Sequence, residues 1–244
     1  MHYNTIFSQL FQFIPRHRFE KSAETNGANR YCKHFTAWRQ FLTCLYAQIT
    51  GKDSLRDICD GLLTNQARLY HLGMEPVAKS TLADAMNRRD PAVFGDLFNE
   101  LLDRCTKLAL KFHDAETNKD YVFLTNNFRL AAATIAEIYK RRWQIELLFK
   151  WIKQNLQIRT FLGTSENAVM TQIWVALIHF LLVAYIKFLT KVEITLTDIT
   201  ARLREHLMSS SHLLELLSLD RKTLAKPPDW NAPRQLELFG EFVT

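Results

Sequence analysis

Four residues between positions 139 and 153 combine a carboxylate with side chains that commonly bind phosphates. They are Tyr139, Arg142, Glu146 and Lys153. The segment from Tyr139 to Leu156 contains no Gly or Pro, and its apolar residues recur at helical spacing, so the sequence predicts a helix. At about 3.6 residues per turn, the four polar residues fall within roughly 60° around its axis. One face would present a carboxylate among cations, while the other would be apolar.

The same pattern also has an ordinary structural explanation. Arg142 and Glu146, and Glu146 and Lys150, are spaced as i,i+4 pairs, which a solvated helix uses for about 0.2–0.5 kcal/mol each. Charge patterns on helices are most often a solvent-exposed face. Spacing alone therefore favours the solvated face over a catalytic one.

The four residues and their flanks resemble the Y-R-E-K signature of the IS4 family of bacterial insertion-sequence transposases. The similarity includes residues 121–126 before the signature and residues 161–168 and 171–174 after it. The resemblance implies DNA transposition, with DNA binding and metal-dependent strand cleavage and transfer. Glu146 would be the third acidic residue of a DDE metal site on a ribonuclease H-like fold. Tyr139, Arg142 and Lys153 would contact phosphates and the transposon end.

Two more residues of the predicted helix are candidates for DNA contacts. Lys150 adds a cation one turn after Glu146. Trp143 could stack on an unpaired base, although a half-buried structural Trp is the commoner case.

The metal chemistry of this family needs more carboxylates than Glu146. Two-metal phosphoryl transfer uses two divalent ions about 3.5–4 Å apart, and Mg²⁺ takes oxygen ligands in octahedral geometry. Glu146 alone cannot neutralise or bridge two Mg²⁺ ions, particularly among the neighbouring cations. Asp114 and Asp120 are the local candidates, but aspartates in turns normally bond their own backbone.

The order of segments also departs from the family pattern. In the family, the polar turn that corresponds to residues 111–120 follows the strands that carry the first two catalytic aspartates. Here it directly follows N-terminal helices, so a block on the order of a typical domain is missing at about residues 108–113. We therefore expect an internal deletion and an incomplete catalytic centre.

The N-terminal part of the chain has a helical pattern. Helices are predicted over 4–14, 35–50, 54–63, 80–89 and 92–110, with a polar loop over 16–30. Ser54 to Asp57 and Thr81 to Asp84 each fit a helix-opening capping box. Residues 51–57 and 79–84 also resemble the N-terminal DNA-binding portion of IS4-type transposases.

Arg88 and Arg89 end the second of these capped helices and are candidates for contacts to DNA phosphates or base edges. A basic last turn that favours the helix dipole explains them equally well. The interval between the two capped helices is too long for a helix-turn-helix, which uses a turn of roughly 3–4 residues.

Composition and charge are compatible with a polyanionic partner. The chain has 244 residues, a net charge of +6 and 48% hydrophobic residues. Seven Lys and Arg against two Glu lie between residues 129 and 159, and eight against three acidic residues lie in 1–56. No phosphate-binding glycine motif is present. Four scattered cysteines predict reduced, buried thiols of a cytoplasmic protein. The resemblance to bacterial transposases implies that the protein is associated with the nucleoid.

The C-terminal part is strongly apolar at first. Residues 173–189 resemble a membrane span, but they are slightly short of the ~20 residues required. They also contain His179 and Lys187, which are costly in lipid. A buried helix on the Glu146 helix is the better prediction, with no membrane partner. Further helices follow over 195–219, broken at 209–211.

The predicted fold class is mainly α. A helical N-terminal domain (1–110), a candidate for DNA binding, precedes a truncated ribonuclease H-like α/β remnant (111–225) with a strand over 121–124. A Pro-containing tail follows (226–244).

The predicted function is DNA transposition of the IS4 DDE type, with Mg²⁺ as cofactor and transposon ends as partner. The alternative is a DNA-binding repressor or regulatory fragment without enzymatic activity. Two other hypotheses remain open. In the first, the catalytic site is completed in trans, either in a homo-oligomer or beside a full-length transposase. In the second, the chain is an unselected relic that folds poorly.

Overall fold

The computed structural model describes residues 5–111, Thr134 and residues 161–219. Residues 5–111 and 161–219 form ten α-helices and one 3₁₀ turn at Tyr70–Leu72. The first range contains α1 (Ile6–Phe11), α2 (Arg16–Thr25), α3 (Ala37–Thr50), α4 (Leu55–Thr64), α5 (Gln66–Leu69), α6 (Lys79–Arg88) and α7 (Ala92–Lys111). The second contains α8 (Glu166–Thr190), α9 (Leu196–His206) and α10 (Leu213–Ser218). These ranges contain no strand, so the mainly helical prediction is confirmed for them.

Hydroxyl side chains cap the first turn of several of these helices. The Thr36 hydroxyl accepts a hydrogen bond from the Arg39 N–H at 3.3 Å, at the start of α3. Ser54 does the same for the Asp57 N–H at 3.1 Å, which confirms the cap predicted for α4. Each such bond satisfies a donor that the first helical turn leaves without a partner.

The polar loop predicted over residues 16–30 is wrong over its first two thirds, where the structure has α2. Pro15 precedes the helix, where its missing N–H removes no helical hydrogen bond. Phe19 and Ala23, one turn apart, are each 1% exposed, and together they form the buried stripe. Because the residues around these two positions are mostly polar, the sequence shows no clear helical spacing of apolar residues here.

The capping box predicted at Thr81 is also wrong. Helix α6 begins at Lys79 after Ala78, so Thr81 lies inside the first turn. The buried stripe of α6 consists of Leu82, Ala85 and Met86. The helix therefore starts earlier than the capping pattern indicates, with Ala78 in extended backbone conformation before it.

Residues from both described ranges share one hydrophobic core. Helix α8 packs against α3, α6, α7 and α9, and Ile178 and Val183 on it are fully buried. The Phe98 and Trp174 rings join α7 to α8, with centroids 5.4 Å apart. Position 110, the predicted domain boundary, thus separates residues that share a core. The division itself stays a prediction, because residues 112–133 and 135–160 lie outside the described ranges.

Helix α1 is joined to the other end of the described chain. The N–H groups of Ile6 and Phe7 donate to the carbonyl oxygens of Ser209 and Leu207, at 3.0 and 2.9 Å. The Gln9 amide also donates to the Ser211 carbonyl at 2.7 Å. Residues 207–211 therefore help to hold the first helix, although about 200 positions separate them in the sequence.

Helix α8 is long and apolar enough, by length and composition, to cross a membrane. Its eleven buried residues and its contacts with four other helices fit the predicted buried helix. Its predicted contact with the Glu146 helix falls outside the described residues, as do the strand over 121–124 and the tail over 226–244.

Candidate nucleic-acid interface

Most predicted site residues lie outside the described ranges. These are Tyr139, Arg142, Trp143, Glu146, Lys150 and Lys153, together with Asp114 and Asp120. Their helix, their DNA contacts and their Mg²⁺ site stay predictions. Among the described residues, no group of three or more His, Cys, Asp and Glu side chains is placed to hold a metal ion. Arg88 and Arg89 do have described positions.

Arg88 lies in the last turn of α6 with its side chain 80% exposed. Its guanidinium is 3.9 Å from the Asp84 carboxylate, one turn earlier, and that carboxylate is itself largely exposed. An exposed pair at this distance is worth about 0–1 kcal/mol. The cation is therefore accessible to a phosphate group, as its predicted DNA contact requires.

Arg89 is placed differently, because it is only 8% exposed. Its Nε donates to the Ala28 carbonyl at 3.1 Å, and Nη1 donates to Gln40 Oε1 at 2.8 Å. Nη2 donates to the Phe35 carbonyl and to Cys32 Sγ. Every guanidinium nitrogen has a partner inside the protein, so the predicted DNA contact of Arg89 is not supported by its position. A buried cation needs such hydrogen bonds because it has lost its water.

Except for Gln40 in α3, the residues that Arg89 binds belong to the connection between α2 and α3. Nη1 also donates to the Thr36 carbonyl at 3.2 Å, and the guanidinium lies 5.5 Å from the Phe35 ring centroid. One side chain, from the residue that follows α6, thus fixes the backbone between Ala28 and Thr36. This contact is not predictable from the sequence, because two adjacent arginines at a helix end have the same local pattern.

The other side of the α6 terminus is joined to the start of α8. The Asn87 side-chain oxygen accepts a hydrogen bond from the Ser165 hydroxyl at 2.7 Å. The Asn167 amide donates to the Asn87 backbone carbonyl at 3.0 Å. Ser165 also caps α8, since its hydroxyl accepts from the Ala168 N–H at 3.2 Å. These polar groups bind one another and hold two helix ends together.

Gly163 permits a close approach in this junction. A Cβ at this position would lie 2.8 Å from the Ala168 Cβ and 3.8 Å from the Asn87 side-chain oxygen. The preceding residue is also held, because the Leu162 N–H donates to Gln172 Oε1 at 3.0 Å. Residues 161–168 resemble the family sequence that follows the signature. Their contacts therefore join the end of α6 to the start of α8.

Trp174 lies in the second segment of that resemblance and packs against α7. A Cβ on Gly95 would be 3.2 Å from the Trp174 ring, so glycine leaves room for the indole. Both segments that follow the Y-R-E-K positions thus have structural partners in helices α6 and α7. The spacing of Asn87, Ser165 and Asn167 along the chain contains no signal that they meet.

The four cysteines are free and differ in exposure. Cys44 is buried, and burial raises the pKa of its thiol to about 12. Cys59 and Cys105 are partly buried, and Cys32 is exposed. The predicted burial of all four thiols is therefore wrong for Cys32, which is exposed although its Sγ accepts a hydrogen bond from Arg89.

Comparison with known proteins adds relatives for parts of this chain. Residues 2–75 match the family described as a domain of unknown function, DUF4372. The protein named "Putative transposase y4zB" from Sinorhizobium fredii is 41% identical over 99 residues, which are 39% of this chain and 27% of that protein. This part of the chain is therefore similar to part of a protein named as a transposase.

Two relatives are named for specific insertion sequences. The "Probable transposase for insertion sequence element IS5377" of Geobacillus stearothermophilus is 41% identical over 80 residues, 33% of this chain and 21% of the relative. The "Putative transposase for insertion sequence element IS4SA" of Synechocystis is 39% identical over 64 residues, 26% of this chain and 19% of the relative. The matches thus cover about a quarter or less of each of these two relatives. No solved structure matches the chain.

Proposed function

We propose that this chain is a transposition protein of the IS4 type that binds DNA at transposon ends and lacks a complete DDE centre. The observation that carries the proposal is the fixed spacing of Tyr139, Arg142, Glu146 and Lys153 in a chain whose relatives are named transposases. Its localisation would be cytoplasmic, on the nucleoid. The residues around Glu146 would belong to a ribonuclease H-like remnant.

The proposed DNA contacts come from two parts of the chain. Arg88 supplies an exposed cation at the end of α6. Tyr139, Arg142 and Lys153 would hold phosphates of the transposon end, with Lys150 and Trp143 beside them. Lys153 lies eight positions before Phe161, the first residue of the connection that meets Asn87 near Arg88. This proximity along the chain supports one continuous DNA-binding surface.

Glu146 by itself would not hold a pair of Mg²⁺ ions. Glu146 is one carboxylate followed and preceded by cations at helical spacing, and two Mg²⁺ ions need several oxygen ligands between them. The described residues add no cluster of carboxylates. We therefore propose no cleavage step for the chain alone, and Asp114 and Asp120 remain candidates for replacing a lost ligand.

DNA binding is tested with the full chain and fragments carrying the ends of its own insertion sequence. We expect tighter binding to these ends than to a scrambled sequence. The logarithm of affinity should fall with the logarithm of salt concentration, by about 0.9 for each phosphate contacted. Arg88→Gln should lower that slope by about one. Absence of binding at low salt would rule out the proposed DNA partner.

A second candidate function is a DNA-binding repressor or regulatory fragment. The exposed Arg88 and the basic excess in residues 1–56 favour it, because neither depends on Glu146. It predicts full binding by Glu146→Gln and no partner chain in the complex. Activity that appears only on mixing with a full-length transposase, or in a homo-oligomer, would instead favour a site completed in trans.

A further inference from the structure

The connection between α2 and α3 has a basic and aromatic outer side. We define the basic–aromatic loop as residues 28–35. Arg30, Tyr31, Lys33 and His34 are exposed, and Tyr31 has 90% of its surface accessible. The Arg30 guanidinium lies 5.2 Å from the Tyr31 ring centroid. A cation at this distance is within the range of a cation–π contact.

Tyr31 adopts a backbone conformation that disfavours a bulky side chain. Its φ is 61°, in the left-handed region, where a residue with a Cβ is strained unless its surroundings hold it. An almost fully exposed ring gains little from burial within the described protein. The strained position therefore presents the ring outward without an evident packing role.

The loop backbone is held from the inside. Arg89 donates to the carbonyl oxygens of Ala28 and Phe35. Within the loop, the Cys32 N–H donates to the Asn29 carbonyl at 3.0 Å, and the Asn29 side chain accepts from the Ala37 N–H at 2.7 Å. The exposed side chains thus project from a fixed backbone, which reduces the ordering cost of binding.

We infer that the basic–aromatic loop binds DNA that carries an unpaired base. The Tyr31 ring stacks on that base, while Arg30 and Lys33 contact the adjacent phosphates. Bases inside a duplex present only their edges in the grooves, whereas an unpaired base offers the flat face that an aromatic ring needs. The loop and Arg88 lie at the same end of α6, because the neighbouring Arg89 holds the loop.

This inference rests on the proposed DNA binding and names the form of DNA that the loop selects. An exposed aromatic ring beside one cation, with a second exposed cation two positions later in the chain, suits the alternation of bases and phosphates along a single strand. The residues involved also lie within the range 2–75 that matches the family of unknown function. Their role would therefore be separate from that of the Y-R-E-K segment.

The test compares full-length wild-type protein with Tyr31→Asn by fluorescence anisotropy. Asn tolerates the left-handed conformation, so the loop should keep its shape while the ring is lost. Two probes are used, a blunt duplex and the same duplex with a single-stranded extension. Tyr70→Asn is the matched control, since Tyr70 is 82% exposed but lies in the 3₁₀ turn outside the loop.

We expect Tyr31→Asn to weaken binding to the extended probe by roughly tenfold. Binding to the blunt duplex should change less than about twofold, and Tyr70→Asn should match wild type on both probes. Arg30→Gln with Lys33→Gln should lower the salt slope on the extended probe by about 1.4, since each single-strand phosphate contact contributes about 0.7. Together these results would establish a stacking contact with flanking phosphates.

Other outcomes would overturn the inference. If wild type binds DNA and Tyr31→Asn binds the extended probe equally well, the loop is not the contact, although the proposed function stands. A change in oligomeric state with unchanged DNA binding would make the loop a protein contact. If wild type binds neither probe at low salt, both the loop assignment and the proposed function fail.

Discussion

The C-terminal end of α6 separates two regions that use polar residues in opposite ways. In the basic–aromatic loop, Arg89 binds the backbone from inside while Arg30, Tyr31 and Lys33 remain exposed. In the junction between α6 and α8, the polar groups of Asn87, Ser165 and Asn167 bind one another. The loop leaves its charged side chains accessible, whereas the polar side chains of the junction hold α6 and α8 together.

Local sequence character is therefore a weak guide to the role of a polar residue. Arg88 and Arg89 are adjacent and chemically identical, yet only Arg89 is buried. The connection over 161–168 lies close to the signature in sequence, but its described contacts are structural. Between the two described arginines, surface exposure is what makes Arg88 rather than Arg89 a candidate for DNA contact.

The largest expected effect is on the buried side of the loop. Arg89→Met should lower the free energy of unfolding by about 3 kcal/mol or more, because several buried acceptors lose their donor. Arg88→Met is the matched control and should change stability by about 0.5 kcal/mol or less. Urea unfolding measures both, and equal losses in the two variants would contradict the contrast between these arginines.

Protonation of the buried His179 side chain should make the stability of the protein depend on pH. Burial, together with the nearby Arg204 charge, lowers the pKa of His179 to about 4. The unfolded chain binds the proton near pH 6.5 and the folded chain does not. Stability is therefore fully present above about pH 6.5 and falls as pH decreases toward 4, by roughly 3 kcal/mol at most.

This pH effect is measured by urea unfolding at several pH values between 4 and 7. His179→Gln should flatten the dependence in that window even if it lowers stability at pH 7. His206→Gln is the control, because it removes an exposed histidine from α9. If His179→Gln leaves the pH dependence unchanged, the assignment to His179 is wrong.

In the junction, Gly163→Ala should destabilise the protein by about 1–3 kcal/mol. The new methyl would lie 2.8 Å from the Ala168 Cβ, so the backbone of the connection must shift. Adding Ala168→Gly removes the opposing methyl. The double variant should therefore lose less free energy of unfolding than the sum of the losses in the two single variants. Additive losses, measured by chemical unfolding, would show that this close approach is not what restricts residue 163.

The smallest expected effect is the loss of the cap on α8. Ser165→Ala removes the acceptor for the Ala168 N–H and the donor to Asn87, and it should cost about 1 kcal/mol. Ser165→Thr keeps the hydroxyl and should retain most of the stability. Thermal unfolding compares the two variants, and equal melting temperatures would contradict a capping role.

Sequence periodicity predicted the helices whose apolar stripes are long, including α3, α4 and α7. It missed α2, whose stripe has two buried residues among many polar ones, Phe19 and Ala23. The start of α6 was misplaced because a capping pattern at Thr81 occurs by chance within its first turn. Helix existence was therefore more predictable than helix ends.

Little of the described candidate interface could be predicted, because its contacts join distant parts of the chain. Arg89 meets Ala28 across 61 positions, and Asn87 meets Ser165 across 78. Nothing in one sequence marks such pairs. The Glu146 signature rests on the resemblance of one short segment and its flanks to a known family, and its site stays a prediction.

The most direct test of an incomplete catalytic centre is strand cleavage on DNA carrying the ends of the insertion sequence. The purified full chain is incubated with this DNA and Mg²⁺ or Mn²⁺, beside Glu146→Gln. We predict that both proteins bind the DNA and that neither cleaves it, because one carboxylate cannot hold two metal ions. Metal-dependent cleavage by wild type that Glu146→Gln abolishes would contradict this and show a complete active site.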